Sequence, residues 1–334
     1  MSLAYPTTGL FLLILAATDF LWTTLWVEGG AGPLTSRMMT GVWGGLRRLG
    51  VRRSWTRTLA GPVIVLVGLV MWISLLWVGW TLVFAGGENA LIDTIDGGPV
   101  SWTERFYFVG YSLFTLGNGE FVPRDGVWQI ATAFTTASGM LLITLSISYV
   151  LAVLDAVTQK RSFATSVSGL GLRGETAVVE SWDGNSFEGV ELPLNTFTAE
   201  LNELTTNHKA YPVLHYFYTE QREAAAVASI ATLDDALTLW RFGVPAEHQP
   251  SRVVLVNARA ALGSYLDTLG ESFVTESKTV PPAPDISVLR ESGVPTVSDE
   301  AFRDSINELD ARRRALLGVV EADARQWPGT QEKE

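Results

Sequence analysis

Two apolar runs without a charged side chain, residues 59–84 and 127–154, dictate most of what this chain can fold into. Each exceeds the roughly 20 residues that an α-helix needs to cross a hydrocarbon core. Between them lies a stretch that no plain helix can absorb. Residues 101–123 read SWTERFYFVGYSLFTLGNGEFVP. An aromatic, helix-like run ends at Phe114, turns into Thr115-Leu116-Gly117-Asn118-Gly119-Glu120 and stops at Pro123. Bare backbone at membrane depth survives only where it lines protein or water. The stretch is therefore expected to re-enter the membrane and line a pore.

A cation stripped of its water needs rings of oxygens, and backbone carbonyls supply them when an extended loop aims them inward. Alternating Gly117 and Gly119 permit positive φ, which lets successive carbonyls share one side. The expected cation ligands are the Thr115 hydroxyl and the carbonyls of Thr115, Leu116, Gly117 and Asn118. The helix before them, about 103–114, would turn its negative C-terminal end toward the cavity. One such loop cannot enclose an axis, so a ring of identical chains is expected.

These residues resemble the pore of the tetrameric potassium-channel superfamily. That family's signature, Thr-Val-Gly-Tyr-Gly-Asp before a Pro, appears here as Thr115-Leu116-Gly117-Asn118-Gly119-Glu120-Phe121-Val122-Pro123. The resemblance spans about residues 59–154 and implies a homotetramer with Thr115 to Gly119 as selectivity filter. It also implies an inner-helix hinge at Gly139, 16 residues past Pro123. Phe114 stands where the family often has a Thr ahead of the filter Thr, which narrows or greases the cavity mouth, and two further departures lie in the signature itself. Asn118 replaces the signature Tyr, which removes the aromatic cuff around the filter and leaves weakly selective sodium/potassium conduction as an alternative to potassium preference. Glu120 replaces the outer Asp and is expected to accept hydrogen bonds from Tyr107 or Tyr111, bracing the filter. Beyond Gly139, Ile143, Ile147 and Leu151 recur at helical spacing as candidate gate collars, with lipid-facing or packing roles as the alternative.

The remaining membrane half fits a pore module with one extra span. Residues 8–27 form a further apolar run, interrupted by Asp19, which costs roughly 2.5 to 3.5 kcal/mol at a helix centre and so faces protein or water. Residues 28–58 carry six arginines against Glu28. Trp43, Leu46 and Trp55 interleave with them, as in a helix lying on a membrane. Arg47, Arg48, Arg52, Arg53 and Arg57 are expected at anionic lipid, and the positive-inside rule places them in the cytoplasm. The N-terminus is then outside and the C-terminal domain cytoplasmic, in a multi-pass protein of the cell membrane. The link 85–100, with Glu88, Asp93 and Asp96, becomes an acidic outer turret.

After Leu154 the chain turns polar and holds most of the net charge of −11. That balance argues against nucleic-acid binding. No cysteine is present, which excludes thiol chemistry. Gly169-Leu170-Gly171-Leu172-Arg173-Gly174 matches a dinucleotide fingerprint but follows a membrane helix, not a strand, and is expected to be a flexible linker. Helices are expected over about 196–207, 211–219, 221–242, 252–274 and 298–327, the last carrying a Glu308–Arg312 pair. No nucleophile–base set emerges, so no enzyme is expected, and no cofactor beyond permeant K⁺ or Na⁺.

The expected fold class is mainly α: a pore module of two transmembrane helices, pore helix and filter loop, with an extra N-terminal helix and a cytosolic helical domain. Expected boundaries are 1–27 (N-terminal helix), 28–58 (basic linker), 59–155 (pore domain) and 156–334 (acidic domain). A non-conducting membrane receptor or scaffold on a pore-like fold is the rival reading from another class.

Overall fold

The computed structural model describes residues 3–27, 30–49, 57–272 and 275–329. They form two units, Met1–Leu154 with Ala210–Tyr216, and Asp155–Lys209 with Phe217–Glu334.

In the first unit, α1 (Ala4–Leu25), α3 (Ala60–Ala85) and α5 (Val127–Ser168) are long and apolar enough to cross a membrane. Helix α1 runs antiparallel to α3 at very close range. A Cβ placed on Gly9 would sit 2.6 Å from the Gly79 carbonyl oxygen, so the crossing depends on two glycines. Ala16, Phe20, Trp72, Leu76 and Leu142 fill the space between α1, α3 and α5.

Asp19 is wholly buried, and its role lies in α2 (Pro33–Leu49). Its Oδ1 accepts the backbone N–H groups of Leu34 (2.7 Å) and Thr35 (3.1 Å). Oδ2 accepts the Thr35 hydroxyl (2.5 Å) and the Trp72 indole N–H (2.9 Å). The first N–H groups of a helix lack intrahelical partners, and that end carries partial positive charge. A carboxylate from α1 thus caps α2, while Trp72 ties the same group to α3. This resolves the cost that the sequence raised: the charge is paired with four donors inside protein.

The short segment Ala210–Tyr216 belongs to this unit too. An α-helix was expected over 211–219, but the chain forms a 3-10 turn, Pro212–Tyr216. Val213 and Leu214 are wholly buried, Tyr216 meets the ring of Trp43 and Tyr211 that of Tyr149. Tertiary packing of a short apolar turn here overrides helix propensity.

The link between α3 and the next helix contains β1 (Leu91–Asp93), paired antiparallel with β2 (Phe121–Pro123) in the register Leu91 to Pro123 and Asp93 to Phe121. Between the strands lies α4 (Trp102–Leu113), opened by a capping box: Glu104 N–H donates to Ser101 Oγ, and Ser101 N–H donates to Glu104 Oε2 at 2.6 Å.

Helix α5 does not stop at Leu154 but continues to Ser168, since Lys160 and Arg161 are good helix formers. The expected flexible linker after it is instead a tight corner. Gly171 takes φ 147°, and a Cβ on Gly174 would lie 2.6 Å from Asp235 Cβ. These glycines serve close packing.

The second unit holds α6 (Gly174–Glu180), α7 (Glu191–Ala210), α8 (Ala226–Thr238), α9 (Arg252–Ser272), α10 (Ile286–Glu291), α11 (Asp299–Asn307) and α12 (Asp310–Ala322). All 13 residues of α8 are buried, so this helix is the core around which the others pack. It carries two acids, each neutralised in place. Asp234 Oδ1 accepts Arg259 (2.8 Å) and Arg312 (2.9 Å). Asp235 accepts wholly buried Arg313 (2.7 Å) on one oxygen and the Trp327 indole N–H (2.8 Å) on the other. Burial still pushes the Asp235 carboxyl up to about 7, against the pull of Arg313. The helix expected over 298–327 breaks at Glu308-Leu309, and Asp310 opens a new first turn. Arg312 consequently binds Asp234 across 78 residues in place of the expected Glu308.

Candidate functional site

The site is built from α4, the loop that follows it and the parts of α3 and α5 that hold them. Trp77 of α3 clamps α4. Its indole N–H donates to the Phe106 carbonyl (2.8 Å), its ring stacks on Phe106 at 4.6 Å, and it meets Phe114 edge-on at 5.8 Å. Gly110 admits this ring, since a Cβ there would lie 2.4 Å from Trp77 Cζ2. Trp80 donates to Ser138 Oγ at 3.0 Å and so joins α3 to α5. The apolar run announced neither bond: a Trp in a span reads as bulk until its neighbour is known.

Past Leu113 the backbone alternates in hand. Thr115 has φ 59°, Gly117 61° and Gly119 81°, whereas Leu116 and Asn118 between them are not in the positive-φ region. The two glycines take this conformation at little cost, but a β-branched Thr does not, and such a residue stores about 1 to 3 kcal/mol. The loop is fastened at its inner end by Leu116 N–H to the Tyr111 carbonyl at 2.8 Å. Among the described residues, nothing donates to the carbonyls of Thr115, Leu116, Gly117 or Asn118, and all four residues are exposed. Four consecutive acceptors are therefore available to a ligand.

The bracing of this loop differs from the expectation. Tyr111 donates its hydroxyl to the Phe121 carbonyl, not to Glu120. Tyr107 accepts a hydrogen bond from Asn118 Nδ2 at 2.5 Å. Glu120 takes part through its backbone: its carbonyl accepts Thr94 N–H (3.0 Å) and the Thr94 hydroxyl (2.9 Å). The reason is geometric, because β1–β2 pairing fixes the backbone of residues 121–123 beside Tyr111. At the position of the signature Tyr, Asn118 thus makes an amide-to-phenol bond to the helix before it. Thr94 was missed altogether, since a threonine in a Gly-rich turret carries no sequence signal for a partner 26 residues away.

Gly139 lies where α5 touches the end of α4. A Cβ there would fall 2.1 Å from the Leu113 carbonyl oxygen, and the helix runs through Gly139 unbroken. Ile143, Ile147 and Leu151 share an exposed face of α5, while Leu142, Tyr149 and Val153 are buried. Of the arginines expected at lipid, Arg48 is exposed on α2 and Arg57 is half-buried. Arg52, Arg53 and the Arg47 side chain lie outside the described residues.

The ion-channel family model Ion_trans_2 matches residues 63–156, which contain every element of this site. Those residues are an ion-channel pore domain of that family. Over nearly its whole length the chain is also similar to the uncharacterized membrane protein YdjJ of Bacillus subtilis (strain 168), with 40% identity over 328 residues, 98% of this chain and 96% of that one. It is a mainly helical membrane protein with three candidate spans among the described residues. No solved structure matches the chain. The chain's second unit lies almost entirely beyond the family match, so its helices are read from their own packing.

Proposed function

We propose that the chain forms a homotetrameric, potassium-preferring cation channel of the cell membrane, with Thr115, Leu116, Gly117, Asn118 and Gly119 as its filter. The observation that carries this reading is the run of four carbonyls, Thr115 to Asn118, on backbone of alternating hand and without a donor among the described residues. Such oxygens, repeated around an axis by identical chains, replace the hydration shell of a monovalent cation. One chain supplies one wall, so the pore requires copies related by rotation. Four copies follow from the resemblance to the tetrameric superfamily.

Potassium preference rests on how firmly the carbonyls are held. The Asn118–Tyr107 and Tyr111–Phe121 bonds give the filter two ties to the pore helix, which supports discrimination by a fixed cavity. Glu120 contributes through its carbonyl. Ile143, Ile147 and Leu151 form the apolar collars of the gate below the filter, and Gly139 is the close contact between the inner helix and the end of the pore helix. The arginines at 47, 48, 52, 53 and 57 hold anionic lipid on the cytoplasmic side, with the N-terminus outside and the acidic domain cytoplasmic.

Purified protein in liposomes loaded with K⁺ tests this directly. Passive K⁺ efflux with a K⁺/Na⁺ permeability ratio well above one supports the reading. A ratio near one favours weakly selective conduction, and no cation leak favours the receptor or scaffold reading.

A further inference from the structure

We propose that Thr94, in the outer turret, is a positioning residue that sets where the ion-ligating row of carbonyls ends; the inference rests on the pore reading above. Its geometry is specific. The Thr94 hydroxyl lies 3.1 Å from the Gly119 carbonyl oxygen and 2.9 Å from that of Glu120, so one proton is shared between both. Its backbone N–H donates to the same Glu120 carbonyl at 3.0 Å. The carbonyls of residues 115–118 have no such donor among the described residues, and those of Gly119 and Glu120 do. The boundary between free and tethered oxygens therefore falls between Asn118 and Gly119, at the reach of one threonine.

That tether has mechanical consequences. Gly119 takes φ 81° and no atom lies within 4 Å of a Cβ built on it, so its own surroundings do not restrain the following peptide plane. Glycine turns such a plane with little steric penalty. Thr94 is held firmly by comparison: it follows directly on β1, which pairs with β2, and Asp93 Oδ1 accepts the N–H groups of Ile95 (2.8 Å) and Asp96 (3.2 Å) just beyond it. The turret thus carries a rigid donor to the loosest peptide of the filter. With the donor in place the Gly119 carbonyl is held to Thr94. Without it, that oxygen becomes a further ligand, or flips between the two states.

The test is Thr94→Val, which keeps shape and removes the hydroxyl, against Thr94→Ser, which keeps the hydroxyl. Each full-length protein is reconstituted in a bilayer, and the relative permeabilities of K⁺, Rb⁺ and Na⁺ are read from bi-ionic reversal potentials, which do not depend on how many channels folded. The expected result is a change of about fivefold in at least one ratio for Thr94→Val, the scale of one lost hydrogen bond, and wild-type ratios for Thr94→Ser. If Thr94→Val does not assemble, Thr94→Ala reads the same loss. Wild-type ratios in both hydroxyl-free variants overturn the inference, as does an equal change in Thr94→Ser. A wild-type protein that passes no cation at all defeats the pore reading and this inference with it, and no variant is needed to see that outcome.

Discussion

Gly139→Ala is the substitution that best separates a hinge from a contact. A hinge glycine supplies bending freedom, and alanine there changes opening while leaving the fold intact. The structure gives Gly139 a different task. The new Cβ would lie 2.1 Å from the Leu113 carbonyl oxygen, 2.9 Å from its carbon and 3.0 Å from its Cα, all of them backbone atoms. Relief requires α5 and the end of α4 to part by about 1 Å, and overpacking of this kind costs about 1 to 3 kcal/mol. Leu113 is two residues before Thr115, so the displacement reaches the loop proposed as the filter. Gly44→Ala on α2, where a Cβ would meet nothing within 4 Å, is the matched control. It should be neutral or stabilising by roughly 0.5 to 1 kcal/mol. Thermal unfolding of the detergent-solubilised protein, followed by tryptophan fluorescence, measures both. The expected result is a clearly lower melting temperature for Gly139→Ala, together with altered ion permeability ratios. Unchanged stability and unchanged ratios, with only the open fraction altered, would refute the contact argument.

Three further outcomes follow from named groups. Asp19→Ala strands the Trp72 indole N–H and two α2 backbone donors in a buried site, and should destabilise the first unit by about 3 to 5 kcal/mol, read in the same unfolding assay. Asp235 has a folded pKa of about 7 against an unfolded value near 4, so the folded state binds the extra proton. Its stabilising effect is complete below about pH 4 and is lost as pH rises through 7. The second unit should therefore be about 1 kcal/mol more stable at pH 6 than at pH 8, a difference that Asp235→Asn abolishes. Tyr107→Phe removes the acceptor of the Asn118 amide and should lower the K⁺/Na⁺ permeability ratio several-fold in liposome flux, with little change in melting temperature.

The membrane half was legible where one physical constraint acts over many residues. Charge-free runs long enough to span a bilayer located α3 and the first part of α5 to within a residue or two, and the aromatic run before Thr115 located α4. What escaped were contacts that depend on the chain meeting itself. Nothing near Asp19 says that its partners are Thr35 and Trp72, the latter 53 residues on. Strands of three residues, such as β1 and β2, are too short for any alternation to register, yet their pairing decides which carbonyl Tyr111 reaches. In the second unit, propensity ran one helix through residues 298–327, while burial of Asp234 and Asp235 demands arginines from a separately oriented α12. Positive φ at Thr115 was unforeseen because a β-branched residue is the last choice for that conformation.

The central claim is that the carbonyls of Thr115, Leu116, Gly117 and Asn118 hold a monovalent cation. The most direct measurement is a density map of the purified oligomer in Rb⁺ or Tl⁺, whose electrons mark the ion. Peaks are expected on a fourfold axis at the level of these carbonyls, lost when the salt is replaced by a large organic cation. An oligomer whose filter carbonyls point away from the axis, with no ion density between them, would contradict it.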